Sequence, residues 1–235
     1  MDFEEFEIWW TSDSTSTLKQ AAAQQFQIEV GEEVSRALQG LKLPSRKELQ
    51  QWGHGCLDYS LEQIVGCSVE IFTDPDLGIV EEFELDVKTI FAFCGEAYSR
   101  YRKIPYHNMY HAFNVLQGAY CLIMTAEKCK GFTLLEKLSM LIAGLGHDLG
   151  HDGCNTHFHV AASSDLALRY NDRSPLENMH ARDTFAAMQK KDCAILGTLD
   201  GPDFKRARQL IVDSIIGTDM AFHKKHVDEL SAKHD

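Results

Sequence analysis

From about residue 86 onward, apolar side chains recur three and four positions apart, the spacing of a buried face on a helix. The run "DVKTIFAFCGEAYSRYRK" predicts a helix that stops before Pro105. "HAFNVLQGAYCLIMTAEK" predicts the next, and "TLLEKLSMLIAGLGHDLGH" a third, opened by Thr133 and Glu136 as a capping box. "FHVAASSDLALRY" reads as one more helix. Ser174, Pro175 and Glu177 mark another start, with proline at the first helical position and glutamate at the third. A last long stretch runs from Asp203 to the chain end.

Upstream the pattern is looser. Residues 17–40 make one amphipathic stretch interrupted by Gly31. "LKLPSRKELQQWGHG", 41–55, is rich in turn formers and basic residues and reads as a linker or a surface loop. "GCSVEIF", 66–72, is the best candidate for a short strand. The expectation is an all-α core of short to medium helices over 61–235, preceded by an N-terminal helical arm and linker over 1–60.

Charge narrows the choice of partners. The formal net charge is −12, with 35 acidic against 23 basic residues, so nucleic acid and anionic membranes are excluded as general partners. A small anionic substrate requires bound cations that invert the local potential. No segment approaches the roughly 20 apolar residues of a membrane span. The acidic start "MDFEEFEIWWTSDS" lacks the basic opening and apolar centre of a signal peptide, and its two tryptophans read as a buried anchor. Seven cysteines without a C-x-x-C pair point to reduced thiols and a cytoplasmic setting.

The chemistry concentrates in one region. Seven of the eleven histidines fall between 107 and 180: His107, His111, His147, His151, His157, His159 and His180. His107/His111 and His147/His151 are both spaced i,i+4, which on a helix turns two imidazoles to one centre. Asp148 adds a hard oxygen ligand beside His147, and its two oxygens allow it to bridge two cations. His157 and His159 read as surface or packing residues, Cys154 as a thiol rather than a ligand, and Glu177 as a capping residue first. Gly150 and Gly153 lack the Lys-Ser/Thr ending of a phosphate-cradling loop.

"YHNMYHAFNVLQ" (106–117) and "HDLGHDGCN" (147–155) resemble the two metal-binding signatures of class I cyclic nucleotide phosphodiesterases. "DLALRYNDRSPLENMH" (165–180) and "IVDSIIGTDMAFH" (211–223) resemble two further family segments in the family's order. The resemblance implies an all-α, compact multi-helix, HD-type metal-dependent phosphohydrolase domain that hydrolyses a 3′,5′-cyclic nucleotide, cAMP or cGMP, to the 5′-monophosphate. It implies His107 as the general acid and His111, His147 and Asp148 as metal ligands. His151, Glu177 and Asp219 would support those ligands and their waters, and Tyr106 would line the substrate pocket. The cofactors implied are two divalent ions, zinc and magnesium, with manganese as an alternative. Regulatory domains or a dimer would belong to the parent protein.

One departure is Gly150, which stands where the family often carries Asp. The resemblance places a further metal-ligating aspartate and a purine-binding glutamine beyond Asp235. The chain reads as the N-terminal two-thirds of the catalytic domain, and poor turnover by the isolated chain is expected. Two rival readings stay open: another HD-type nucleotide phosphohydrolase, and an inactive truncated form that binds a partner subunit. The H-N-x-x-H opening argues against the first.

Overall fold

A computed structural model describes residues 40–126 and 131–232. The chain divides into two units, Met1–Gly40 and Leu41–Asp235. The amphipathic stretch 17–40, all but its last residue, and the tryptophan pair lie outside the described residues.

The second unit is helical, and among the described residues there is no strand. Its helices are α1 (Arg46–Leu49), α2 (Leu61–Phe72), α3 (Ile79–Glu82), α4 (Val87–Arg100), α5 (Met109–Ala126) and α6 (Leu134–Gly146). After these come α7 (Thr156–Ala161), α8 (Asp165–Tyr170), α9 (Pro175–Met188), α10 (Gly201–Ile216) and α11 (His223–Ser231). Short 3-10 turns at Pro75–Leu77, Lys191–Cys193 and Met220–Phe222 join some of them.

Helix α6 is the centre. Every residue from Lys137 to Gly146 except Met140 is buried, so the helix is covered nearly all round. It packs most extensively on α10 and α5. The capping box expected at its start is present: Thr133 accepts from the Glu136 N–H, and Glu136 reaches back to the Thr133 N–H at 2.9 Å. Glycine governs the closest approaches. A Cβ on Gly146 would lie 2.2 Å from Thr184 Oγ1 on α9, and one on Gly144 would lie 3.4 Å from the Leu116 Cα on α5.

Three elements differ from the sequence expectation. "GCSVEIF" is the second half of α2, not a strand. Ser60 and Gln63 form a complete capping box upstream, and the continuous apolar run buries several faces of one helix rather than one face of a sheet. "FHVAASSDLALRY" is two helices. Ser163 takes φ 47°, and the Ser164 hydroxyl accepts from the Ala167 N–H to begin α8. The last stretch breaks at Gly217–Asp219, where Asp219 accepts from the Ala221 N–H and starts a new turn.

The segment 41–55 carries α1 and is pinned to the core. Leu49 is fully buried, and Gln117 donates to the Leu49 and Gln51 carbonyls at 2.7 and 2.9 Å.

The Gly146–Thr184 approach leaves no room for a methyl group. Gly146→Ala is expected to destabilise the fold by about 1–3 kcal/mol, as overpacking does. Thr184→Ala in the same chain should recover part of that loss, giving a favourable coupling in the double-mutant cycle. Urea unfolding midpoints of the single and double variants check this; strictly additive losses would contradict it.

Candidate metal centre

Helix ends, rather than helix faces, position the histidines. Asn108 is the N-cap of α5: its Oδ1 accepts from the Tyr110 and His111 N–H groups at 3.0 and 3.4 Å, and its Nδ2 donates to the Ile104 carbonyl at 2.9 Å. His107 therefore precedes the helix, and His111 sits in its first turn. At the other pair, α6 ends at Gly146 and His147 is its C-cap. The turn 147–150 passes through Gly150 at φ 83° before it reaches His151. Both i,i+4 pairs thus straddle a helix terminus.

The end of α6 leaves carbonyls without intrahelical donors, and side chains satisfy them. His147 Nδ1 donates to Gly144 O at 2.9 Å, Tyr101 OH to Leu145 O at 2.8 Å, and Thr184 Oγ1 to Gly146 O at 3.1 Å. One turn on, His180 Nδ1 donates to Leu149 O at 2.9 Å. A carbonyl can only accept, so both imidazoles carry their proton on Nδ1, and in the neutral ring Nε2 is left as a bare lone pair.

Those lone pairs face a carboxylate. His147 Nε2 and His111 Nε2 are 3.1 Å apart, and each is 3.2 Å from Asp148 Oδ2. On the other side of the same carboxylate, His180 Nε2 lies 3.7 Å from Oδ1. Burial pushes the Asp148 carboxyl upward, but the imidazoles of His111 and His147 beside it outweigh burial and hold the group well below the ordinary carboxylate range. Burial holds His180 down at about 4, against the hydrogen bond to Leu149 and the charge of Asp148, so it is neutral at pH 7.

The donor set fits a divalent metal. Tetrahedral zinc with bonds of about 2.0–2.1 Å has ligand–ligand edges of about 3.3 Å, close to the separations among His111, His147 and Asp148. The outer support fits as well, because His147 donates its second nitrogen to a carbonyl, the usual partner of a ligating imidazole.

His151 is different. Its Nδ1 accepts from the Gly153 N–H at 2.9 Å, so in the neutral ring the proton is on Nε2 and the side chain offers a donor. It stacks on His107, with ring centroids 4.0 Å apart and planes 10° from parallel. Tyr106 is 65% exposed and packs its ring against His107 and His111, with centroids 4.9 and 4.7 Å away.

Glu177 does not cap its helix. Ser174 takes a left-handed φ of 41° with no side-chain cap, and its hydroxyl donates to Asp219 Oδ2 at 2.7 Å. Glu177 Oε2 is buried with no hydrogen-bond partner among the described residues. Burial pushes this carboxyl up to about 7, with the charges of Asp219 and Asp148 adding to the effect. Asp219 itself lies at the Ser174 contact rather than among the imidazoles.

Gly150 also has a local reason. Its φ favours glycine, and a Cβ there would come within 2.9 Å of Asp183 Oδ2, so aspartate would set two carboxylates together. His159 is a buried packing residue, with Nδ1 3.0 Å from Ser164 Oγ and Nε2 3.4 Å from Asp152 Oδ1. His157 is exposed. The sequence reading missed His180, although its i,i+3 spacing from Glu177 on one helix was a usable signal.

Residues 106–235 match the sequence profile described as 3′5′-cyclic nucleotide phosphodiesterase. The chain belongs to the 3′,5′-cyclic nucleotide phosphodiesterase family. Among curated phosphodiesterases, it is 34% identical over 160 residues to the human high affinity cGMP-specific 3′,5′-cyclic phosphodiesterase 9A, covering 67% of this chain and 27% of that protein. A dual 3′,5′-cyclic-AMP and -GMP phosphodiesterase beta from Plasmodium falciparum is 34% identical over 195 residues, covering 81% and 16%. The crystal structure of the phosphodiesterase domain of the RhoPDE fusion protein from Salpingoeca rosetta superposes with a TM-score of 0.74 at 37% identity, covering 78% of this chain and 57% of that one. The chain spans about a quarter of the length of the human relative. Its all-α architecture is that of the phosphodiesterase catalytic domain.

A buried carboxyl raised toward 7 costs stability as it ionises. Its folded value lies above the unfolded one near 4.5, so the loss begins as pH rises past that value and is complete above about 7. In chelator-treated protein, Glu177→Gln is expected to raise the melting temperature relative to the parent at pH 8 and not at pH 4.5. The gain should be about 1 kcal/mol, because partial solvent access discounts the full shift. Melting curves of both proteins across that range check it; a difference independent of pH would contradict it.

Proposed function

We propose that this chain supplies the metal-binding part of a catalytic domain that hydrolyses a 3′,5′-cyclic nucleotide to the 5′-monophosphate. The observation that carries the proposal is the convergence of His111 Nε2, His147 Nε2 and Asp148 Oδ2 within 3.2 Å of one another, with His107 beside them. Relatives named for cGMP alone and for both cyclic nucleotides support the substrate class.

His111, His147 and Asp148 would hold the tighter ion, with zinc as its identity and magnesium, or manganese in its place, as the second. Such divalent ions supply positive charge at a phosphodiester and make water a nucleophile near neutral pH. They also reconcile a chain of net charge −12 with an anionic substrate.

The chain's own residues do the remaining work. His107 is the general acid for the departing 3′ oxygen, and it is well placed for that because no helix backbone restrains it and His151 supports its ring face. His151 Nε2–H donates to a water or phosphate oxygen at the same centre. Asp148 enters as a carboxylate with its two oxygens turned to opposite sides. Glu177 Oε2 takes a hydrogen bond from water in the pocket. Tyr106 forms an aromatic wall at the mouth.

The setting proposed is cytoplasmic. Every described cysteine is free, which suits a reducing compartment, and no described helix is long and apolar enough to cross a membrane. Regulatory domains or a dimeric partner would belong to the full-length protein.

Hydrolysis of cAMP and cGMP by the full-length protein, with zinc and magnesium supplied, tests the reading. His107→Ala should lower kcat by about 10²–10⁴ with metal content unchanged. His147→Ala should lose both metal and activity. An inert parent protein, or a His107 variant of undiminished kcat, would sink the proposal. Hydrolysis of nucleoside triphosphates in place of cyclic nucleotides would favour the other HD-type phosphohydrolase.

A further inference from the structure

Packing alone does not explain the polar contacts of His159, which lies near the end of α7 and is 5% exposed. Its ring sits between two polar side chains, with Nδ1 3.0 Å from Ser164 Oγ and Nε2 3.4 Å from Asp152 Oδ1. A carboxylate can only accept, so Nε2 carries the proton and, in the neutral ring, Nδ1 accepts from the Ser164 hydroxyl. Ser164 can give that proton while its oxygen takes the Ala167 N–H at 3.2 Å as the cap of α8. The left-handed turn at Ser163 closes the same junction, with the Ser164 N–H donating to the His159 carbonyl at 3.0 Å. One imidazole thus ties α7 and α8 to the segment that carries His151.

Asp152 passes the restraint on. The Oδ1 that faces His159 also accepts the Cys154 N–H at 2.9 Å, and one peptide earlier the Gly153 N–H donates to His151 Nδ1 at 2.9 Å. Peptides are planar, so fixing the second of two consecutive amides limits the first. Gly153 between them is at φ 95°, and glycine has many other conformations open to it, so a side-chain restraint matters at this loop. The Gly153 N–H in turn keeps the His151 proton on Nε2, and the His151 ring lies flat against His107, with centroids 4.0 Å apart.

We propose that His159, acting through Asp152, is a positioning residue for His107: the pair holds the 151–155 loop so that Gly153 keeps His151 in its Nε2–H form, stacked on the His107 ring. A reacting group is useful only when its geometry is held by neighbours that are themselves fixed, and here the chain of support runs from Ser164 to His107. The His107 part of this inference rests on the phosphodiesterase reading above and deepens it; the His151 part rests on the fold alone.

The test is the ring ¹⁵N spectrum of His151 in the chelator-treated 235-residue chain at about pH 9, where imidazoles are neutral. The wild-type chain is expected to show one protonated and one bare ring nitrogen. His159→Leu fills the buried space without either nitrogen, and Asp152→Ala removes the carboxylate from a side chain that is 29% exposed. In both, the two His151 resonances should move toward each other as the ring samples both tautomers. His159→Gln offers one donor and one acceptor, and Asp152→Asn keeps an acceptor oxygen, so both should hold the wild-type pattern. In the full-length protein, His159→Leu should lower kcat by about tenfold or more with KM and metal content unchanged, and His159→Gln should recover most of it.

A folded His159→Leu or Asp152→Ala chain with unmoved His151 resonances overturns the inference. So does a wild-type chain that already shows mixed tautomers, or a glutamine or asparagine variant that shifts as far as the disruptive ones. If His159→Leu does not fold, Asp152→Ala, at a half-buried site, still decides. Movement of His151 with an undiminished kcat would overturn the link to His107. Failure of the full-length protein to hydrolyse cyclic nucleotides would count against the phosphodiesterase reading and leave the His159–His151 coupling to be decided by the spectra.

Discussion

The backbone carbonyls from Gly144 to Leu149 determine the rest of the site. A helix that stops in a protein interior leaves acceptors to be satisfied, and each unsatisfied one costs about 1–3 kcal/mol. Here four of them take side-chain donors from the residue after α4, from α9 and from the turn itself: Tyr101, Thr184, His180 and His147. Two of those donors are imidazoles, and a ring that gives its Nδ1 proton to a carbonyl must turn its Nε2 lone pair elsewhere. The satisfaction of a helix end thus orients two rings toward Asp148.

Packing makes this geometry specific. Thr184 and His180 reach the end of α6 because Gly146 lets α9 approach to a distance that a methyl group would forbid. At Gly144, facing α5, which carries His111, a Cβ would make ordinary contact, 3.4 Å from the Leu116 Cα. The apolar length of α6 is buried nearly all round, so its C-terminus has little freedom to move relative to either neighbour. Rigidity at that point is what holds His111 on α5 and His147 and Asp148 after α6 within 3.2 Å of one another.

Much of this was legible in the sequence, and the parts that were not share a cause. The helices α4, α5, α6 and α9 follow from apolar spacing and caps such as Thr133 and Pro175, which are local signals. His111, His147 and Asp148 were readable as a cluster from their spacing, although the reason lay in helix ends rather than helix faces. Asn108 carried that information, since an asparagine before an apolar run is an N-cap signal. The strand expected at 66–72 failed because an apolar run of that length is compatible with either a buried helix or a strand, and the deciding residues, Ser60 and Gln63, lie outside it. Glu177 was read as a cap because Ser-Pro-x-Glu has that pattern. The structure spends Ser174 on Asp219, a contact 45 residues away that no local pattern encodes.

The division of labour among the histidines was the least legible part, and it could not have been otherwise. His147, His151 and His180 are the same residue type, and all three are buried near one carboxylate. What separates them is the atom that meets each ring's other nitrogen: a carbonyl for His147 and His180, an amide N–H for His151. The first kind of partner leaves Nε2 a lone pair; the second leaves it a donor. Both partners are backbone atoms, present at every residue, so their identity is set by the path of the chain. Gly153, at φ 95°, turns its N–H toward His151, and the backbone beyond Asp148 turns the Leu149 carbonyl toward His180. Sequence proposes which residues can do metal chemistry; the fold decides whether each ring's free nitrogen carries a lone pair or a proton.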